Sequence, residues 1–193
     1  MPVTSSPTDA GYWAVAALLA GVAAAFVTYR AWVTDDAFIT FRHILNVHAG
    51  NGPVFNPGFR VQGYTHPLWF LLLLAGSYVM PTYAAAVACG LALTVVAVAA
   101  LAWFLRAYPG RSVWLLAAFL ALFSSRTFVE YQTSGLETSL TALLVILLFG
   151  WVASRELADR PVPVVGVAWL CAMLVLNRPD YVIFCGPVAA GLT

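Results

Sequence analysis

The feature that most constrains this chain is a series of long apolar runs separated by short polar segments. A helix needs about 20 apolar residues to cross a membrane, because the hydrocarbon is about 30 Å thick and each residue rises about 1.5 Å. Charged residues make up only 9% of the sequence, whereas a soluble domain carries about 25%. We therefore predict an all-α, polytopic transmembrane helix bundle, with spans near residues 12–30, 82–105, 112–125, 138–154, 161–177 and 181–193.

Residues 31–81 are interpreted as one loop outside the bilayer, with amphipathic helices at the membrane surface. Within this loop, Pro67–Met80 is apolar but has the length of a re-entrant or interfacial segment. If it does not span, two groups of charges separate to opposite sides of the membrane. One group is Arg106, Arg111, Arg155 and Arg160; the other is Asp35, Asp36, Glu130, Glu137, Arg178 and Asp180. Arginine-rich short loops are cytoplasmic, so we predict a multi-pass protein of the cytoplasmic membrane whose acidic face is extracytoplasmic.

The start of this loop has the pattern of an amphipathic helix. Thr34 is a good N-cap, and Asp35 and Asp36 would fill the first turn, where the helix dipole favours anions. A stripe at helical spacing would rest on the bilayer or on the bundle; it consists of Phe38, Phe41, Ile44 and Leu45. Turn sequences follow at 50–53 and 56–58.

Asp35 and Asp36 are the leading catalytic candidates. They could simply begin a helix, but they lie where a spanning helix reaches the outer interface, and ionisable groups at membrane depth are functional candidates. Desolvation there would raise the pKa of a carboxylate and suit it to act as a general base. Two adjacent carboxylates could also hold a divalent cation beside a phosphate. No other cofactor is required.

Arg42, Arg60 and Arg178 are candidates for binding a phosphate, because guanidinium groups match its oxygens. Each alone is as easily explained by a side chain that reaches the lipid headgroups. Arg42 lies seven residues after Asp35, so both could share one helix face. Arg178 carries the stronger signal, because the segment 177–180 interrupts two apolar runs and contains a proline. His66 and Asp180 join the same substrate-binding set.

Glu137 is the last candidate for substrate binding. A simpler explanation is a capping box, in which Ser134 caps a helix and Glu137 returns a hydrogen bond. Aromatic residues near the ends of the runs are typical of interface anchors. Tyr64, Trp69 and Tyr131 could instead stack on a sugar.

Taken together, these motifs resemble the N-terminal region of the GT-C superfamily of membrane glycosyltransferases, and most closely the cell-wall terminal arabinofuranosyltransferases. The resemblance rests on the ordered segments Thr34–Phe38, Ala49–Asn56, Arg60–Thr65, Pro67–Trp69, Thr133–Glu137 and Arg178–Asp180. It implies transfer of a sugar, such as arabinofuranose, from a polyprenyl-phosphate donor to a glycan acceptor of the cell envelope. It also implies that Asp35 and Asp36 are the acidic motif. The family has Arg-Pro-Glu where this chain has Arg178-Pro179-Asp180, which bears on the sugar rather than on the chemistry.

Two other functions are compatible with the sequence. A transporter or flippase of lipid-linked sugars would use the same arginines, although carriers usually place ionisable residues near the bilayer midplane. A non-catalytic module, such as a truncated relative, is the second alternative, and we expect these residues to be the N-terminal transmembrane part of a longer protein. Membrane lipid is an expected partner. The net charge of +1 provides no basic surface for nucleic acid.

Overall fold

The chain is an all-α protein in a computed structural model that describes residues 7–59, 61 and 63–191. The prediction of an all-α fold is confirmed, since these residues contain helices and one isolated β-bridge between Asn56 and Phe59. The α-helices are α1 (Pro7–Tyr29), α2 (Ala37–His48), α3 (Pro67–Ser77), α4 (Thr82–Leu105), α5 (Arg111–Phe123), α6 (Arg126–Tyr131), α7 (Thr138–Glu156), α8 (Val164–Asn177) and α9 (Val182–Ala190), with a 3₁₀ turn at Pro179–Tyr181 before α9.

Three helices, α1, α4 and α7, are long and apolar enough to cross a membrane. They match three of the predicted spans, and α4 has the predicted bounds. The helices at the other predicted spans are shorter, because α5 has 13 residues, α8 has 14 and α9 has 9. Whether these shorter helices also span stays a prediction. At 11 residues α3 is far below spanning length, as expected for an interfacial or re-entrant segment.

Helix α4 lies at the centre of the bundle and packs against both α1 and α7. Small residues permit this close packing, since Ala85, Ala86 and Gly90 are buried on its surface. A Cβ at Gly90 would collide with the carbonyl oxygen of Gln132. One turn further along, the buried hydroxyl of Thr94 donates to Gln132 Oε1 at 3.2 Å. The segment after α6 is therefore held directly against the central helix.

The start of α2 differs from the prediction. Its first helical residue is Ala37, and Asp36 rather than Thr34 occupies the cap position. Thr34 is instead buried. Its amide donates to Ser134 O at 2.9 Å, which holds this segment against the chain before α7.

The apolar stripe on α2 is also divided rather than continuous. Phe41 and Ile44 are buried against the bundle, whereas Phe38 and Leu45 are 53% and 61% exposed. The buried face includes the polar residues Thr40 and His43, so α2 packs on the bundle through a partly polar surface that the hydrophobic pattern does not reveal.

The two predicted groups of charges lie at opposite ends of the bundle. Arg30 follows α1 and pairs with Glu130 of α6 at 3.3 Å, beside the start of α7. At the other end, Asp9 of α1 pairs with Arg111 of α5 at 2.6 Å, and one groove is lined by Arg106, Arg155 and Arg160. This grouping agrees with the interpretation that Pro67–Met80 does not span, because a further crossing before α4 would have put these arginines at the same end as Asp35.

The close approach at Gly90 generates a stability prediction. Gly90→Ala should destabilise the protein by about 1–3 kcal/mol, the usual cost of overpacking, because the added methyl group meets a backbone carbonyl. Gly21→Ala in α1 is the matched control, since its Cβ would meet nothing within 4 Å. Thermal unfolding in detergent, followed by circular dichroism, compares the two variants. Equal melting temperatures would show that α4 and the Gln132 segment do not pack as described.

Candidate functional site

A buried carboxylate at the start of α7 is the centre of the candidate site. Glu137 is only 5% exposed. Its Oε2 lies 3.2 Å from His66 Nδ1 and its Oε1 lies 3.1 Å from Arg178 NH1. Both oxygens therefore have a partner, which a buried carboxylate requires to offset its desolvation. Residues from three separate segments meet at this one side chain.

His66 is buried at the entrance to α3 and is held on both ring nitrogens. Thr40 Oγ1 lies 2.9 Å from Nε2, while Nδ1 faces Glu137. This arrangement assigns the proton to Nδ1, which donates to the carboxylate, and lets Nε2 accept from the Thr40 hydroxyl. Burial lowers the pKa of His66, Glu137 opposes that shift, and Arg178 adds to it. The net effect lowers the pKa of His66 and favours its neutral form.

Arg178 connects the buried carboxylate to the surface. Its Nε donates to Asp180 Oδ2 at 3.0 Å, and its side chain is 50% exposed. The break between α8 and α9 puts it there, because Arg178 has extended backbone and Pro179 starts the 3₁₀ turn. Asn177, fully buried, donates from Nδ2 to Thr141 Oγ1 at 2.8 Å and to Glu137 O at 3.3 Å. The end of α8 is thus fastened to the start of α7.

The segment before α7 also positions the start of α2. Gly135 has a left-handed backbone with φ of 82°, and a Cβ there would lie 2.6 Å from the Cβ of Ala37. The carbonyl of Gly135 accepts from Trp69 Nε1 at 2.8 Å. Only glycine combines this conformation with this close contact. Trp69 is fully buried, so neither an interface anchor nor an exposed sugar platform describes it.

Asp35 and Asp36 lie at this same end of the bundle, and both are exposed. Asp35 Oδ1 accepts from Thr34 Oγ1 and from the amide of Asp36, each at 3.0 Å. Asp36 lies four residues before Thr40 and therefore shares its face of the helix. The described residues leave both carboxylates exposed and do not supply the desolvation predicted from the sequence, so desolvation would have to come from bound substrate or lipid.

Arg42 does not join the cluster around Glu137. Its Nε donates to Phe55 O at 2.7 Å and its NH2 donates to Asn56 Oδ1 at 3.0 Å. These two hydrogen bonds hold the turn after α2, and a role for Arg42 in binding phosphate stays a prediction. Arg60 lies outside the described residues.

The capping-box interpretation of Glu137 is wrong. Glu137 makes no side-chain capping hydrogen bond, because both of its oxygens bind His66 and Arg178. Ser134 Oγ instead donates to Tyr131 O at 2.9 Å.

The structure brings together four of the predicted site residues, His66, Glu137, Arg178 and Asp180. Thr40 and Asn177 were not predicted; the spacing of Thr40 from Asp36 and the position of Asn177 beside Arg178 were the signals available.

The residues of this end of the bundle fit a divalent cation only in part. Within the described ranges, no three His, Cys, Asp or Glu side chains form a group able to hold a metal ion. Asp35 also has one oxygen already hydrogen-bonded. A cation at Asp35 and Asp36 would need further oxygen ligands from a substrate phosphate or from water.

Comparison with known proteins identifies relatives of the chain. It is 32% identical over 171 residues to a terminal β-(1→2)-arabinofuranosyltransferase of Mycobacterium tuberculosis, covering 81% of this chain and 27% of that protein. It is 34% identical over 159 residues to the protein of the same name from Corynebacterium glutamicum, covering 76% and 23%. The predicted resemblance to the terminal arabinofuranosyltransferase family is confirmed. The chain spans about a quarter of the length of these arabinofuranosyltransferases. No family model and no solved structure matches it.

The lowered pKa of His66 generates a prediction about pH. The contribution of His66 to stability is fully present above its unfolded pKa of about 6.5, and it is lost as the pH falls from there towards the lower folded pKa. The free energy of unfolding should therefore decline below about pH 6.5, and His66→Gln should flatten that decline. His48→Gln is the control, because His48 is exposed and contacts Ser77 and Tyr78 rather than a charged group among the described residues. Denaturant unfolding at several pH values measures this, and an unchanged pH profile in His66→Gln would contradict it.

Proposed function

We propose that the full protein transfers a sugar, arabinofuranose, from a polyprenyl-phosphate donor to a glycan acceptor of the cell envelope. The single observation that carries this proposal is the charged cluster at one end of the bundle. In it, Asp35 and Asp36 are exposed and follow Thr34, whose amide is hydrogen-bonded to Ser134. Three residues after Ser134, Glu137 contacts His66 and Arg178. The names of the two relatives support the class of reaction and the sugar.

The carboxylates would act on the acceptor or on the sugar. In a direct displacement, Asp35 or Asp36 takes the proton of an acceptor hydroxyl while the oxygen of that hydroxyl bonds to the anomeric carbon of the donor sugar. The bond from that carbon to the phosphate oxygen breaks, and the polyprenyl phosphate leaves with the electron pair. The same carboxylates also stabilise positive charge that develops on the sugar. In a reaction that retains configuration, one of them would instead be the nucleophile.

Arg178 is suited to meet the phosphate that leaves. Its side chain is half exposed, and Glu137 and Asp180 hold its NH1 and Nε. A guanidinium fixed in this way needs little reorganisation as negative charge grows on the leaving oxygen. Glu137 and His66 are then positioning residues that keep Arg178 at the surface. Arg60 belongs to the same proposal on the basis of the sequence alone, and a divalent cation beside the phosphate is an optional addition.

The proposed orientation puts the Asp35 end of the bundle on the extracytoplasmic side. The support is the separation of charges, since the opposite end carries Arg106, Arg155 and Arg160 around one groove. Arginines concentrate in cytoplasmic loops. A multi-pass protein of the cytoplasmic membrane would then meet its lipid-linked donor and its acceptor in the outer leaflet.

A transporter of lipid-linked sugars remains the alternative of a different class. Transporters gather ionisable residues at the bilayer midplane, whereas the charged cluster described above lies at the end of α7 and not at its middle. A non-catalytic module would need no ordered contacts among His66, Glu137 and Arg178. These two observations favour a transferase.

Replacing Asp35 and Asp36 singly with Asn in the full-length protein tests the proposal. We expect at least one variant to lose transfer by about 100-fold or more, because Asn can neither accept a proton nor carry negative charge. Transfer is measured with a labelled polyprenyl-phosphate sugar and analysis of the glycan product.

Glu130→Gln is the matched control for these variants. Glu130 is a carboxylate at the same end of the bundle, but it pairs with Arg30 and Arg126 instead of facing the cluster. It should retain transfer. Wild-type transfer in both Asp variants would refute their catalytic role, and movement of an intact lipid-linked sugar without a glycan product would support the transporter.

A further inference from the structure

A groove with charged and apolar lining residues lies at the end of the bundle opposite the candidate site. It has a volume of about 720 Å³ and is formed by the C-terminal ends of α4 and α7 with the neighbouring part of α8. Its charged lining residues are all arginines, namely Arg106, Arg155 and Arg160. Since Glu137 and Arg155 stand near opposite ends of α7, they are about 27 Å apart at a rise of about 1.5 Å per residue. That separation is close to the thickness of the hydrocarbon, about 30 Å.

The turn that ends α7 brings two of these arginines together. The amide of Arg160 donates to the carbonyl of Arg155 at 3.0 Å, while that of Ala158 reaches the same carbonyl at 3.1 Å. Asp159 adopts a left-handed backbone with φ of 50° to close the turn. This is the hydrogen-bonding pattern of a helix C-terminal cap. Arg155 and Arg160 therefore line the same groove although five positions separate them.

These two guanidinium groups have no carboxylate partner among the described residues. The acidic side chains next to them in sequence, Glu156 and Asp159, are exposed and make no ion pair in that part of the chain. Arg106 is partly engaged, because its guanidinium carbon lies 3.4 Å from the centre of the Trp103 ring. The groove thus presents an excess of positive charge and several unused N–H donors, which is the complement of an anion with more than one oxygen.

The walls of the groove are apolar and continue along the helices. Trp103 and Trp151 line it from α4 and α7, and Leu147 and Leu170 lie deeper. The ring of Trp151 is packed on Gly166 of α8, where a Cβ would collide with it. Beyond the groove, the exposed side chain of Val96 lies seven residues before Trp103 and so continues the apolar surface on the same face of α4. Tryptophan beside arginine at a helix end is typical of the headgroup level of a membrane.

We propose that this groove binds the headgroup of an anionic phospholipid. Arg155 and Arg160 would bind the phosphate oxygens, Trp103 and Trp151 would flank the glycerol, and the acyl chains would lie along the exposed surface of α4. A soluble phosphate ester offers the same charge but leaves the apolar walls uncovered, so the lipid is the better match. This site does not depend on the proposed transferase activity.

Native mass spectrometry of the full-length protein in detergent tests the site. Wild-type protein should retain added phosphatidylglycerol in preference to phosphatidylcholine, which carries no net charge. The double variant Arg155→Gln/Arg160→Gln should lose at least about tenfold in affinity for phosphatidylglycerol, since each arginine near a membrane contributes to anionic-lipid binding. Arg155→Lys/Arg160→Lys should retain part of the binding, because it keeps the charge without the paired donors.

Arg126→Gln is the control, because Arg126 is an exposed arginine at the other end of the bundle, where it pairs with Glu130. It should bind phosphatidylglycerol as the wild type does. Equal retention of phosphatidylglycerol in the Gln double variant, or equal retention of both lipids by the wild type, would overturn the proposal. Glycerol 3-phosphate that competes as strongly as the lipid would overturn the choice of occupant. Because the readout is lipid binding, failure here leaves the transferase proposal unaffected.

Discussion

The arrangement at the Asp35 end of the bundle depends on the contacts that the Glu137 carboxylate makes with His66 and Arg178. A buried carboxylate is costly unless its oxygens are paired, and here His66 and Arg178 pair with one oxygen each. These partners come from the start of α3 and from the break after α8, so a single side chain fastens three segments that are distant in sequence. The hydrogen bonds of Thr40 to His66 and of Asn177 to Glu137 O extend the same connection to α2 and α8.

This connection also explains how an exposed acidic pair is held in place. Asp35 and Asp36 make few contacts of their own, but Thr34 beside them is bound to Ser134, and Ala37 is packed on Gly135. The chain from Ser134 to Glu137 therefore contacts the residues on either side of the acidic pair and also supplies the buried carboxylate of the cluster. Exposed polar residues on a segment that a rigid scaffold positions are typical of binding and catalytic sites.

The sequence predicted the parts of this structure that depend on long apolar patterns. The bounds of α4 follow from an uninterrupted apolar run between Pro81 and Arg106, and the grouping of charges at two ends follows from the topology. The sequence also singled out His66, Glu137, Arg178 and Asp180, which the structure brings together, because ionisable residues are rare in this chain. The sequence could not show whether Glu137 closes a capping box with Ser134 or belongs to the site, since the same residues fit both explanations. It also could not show that Arg42 binds its own loop, because that depends on where the turn after α2 folds.

A double-mutant cycle between Glu137→Gln and Arg178→Gln tests whether the buried carboxylate contacts Arg178. It compares the free energies of unfolding of the full-length protein in detergent. If the two side chains form the contact described here, the effects of the single substitutions will not add, and the coupling energy should be about 0.5–3 kcal/mol. Glu130→Gln paired with Arg178→Gln is the matched cycle for a carboxylate that does not touch Arg178, and it should be additive. Additive effects for Glu137 and Arg178 as well would contradict the account.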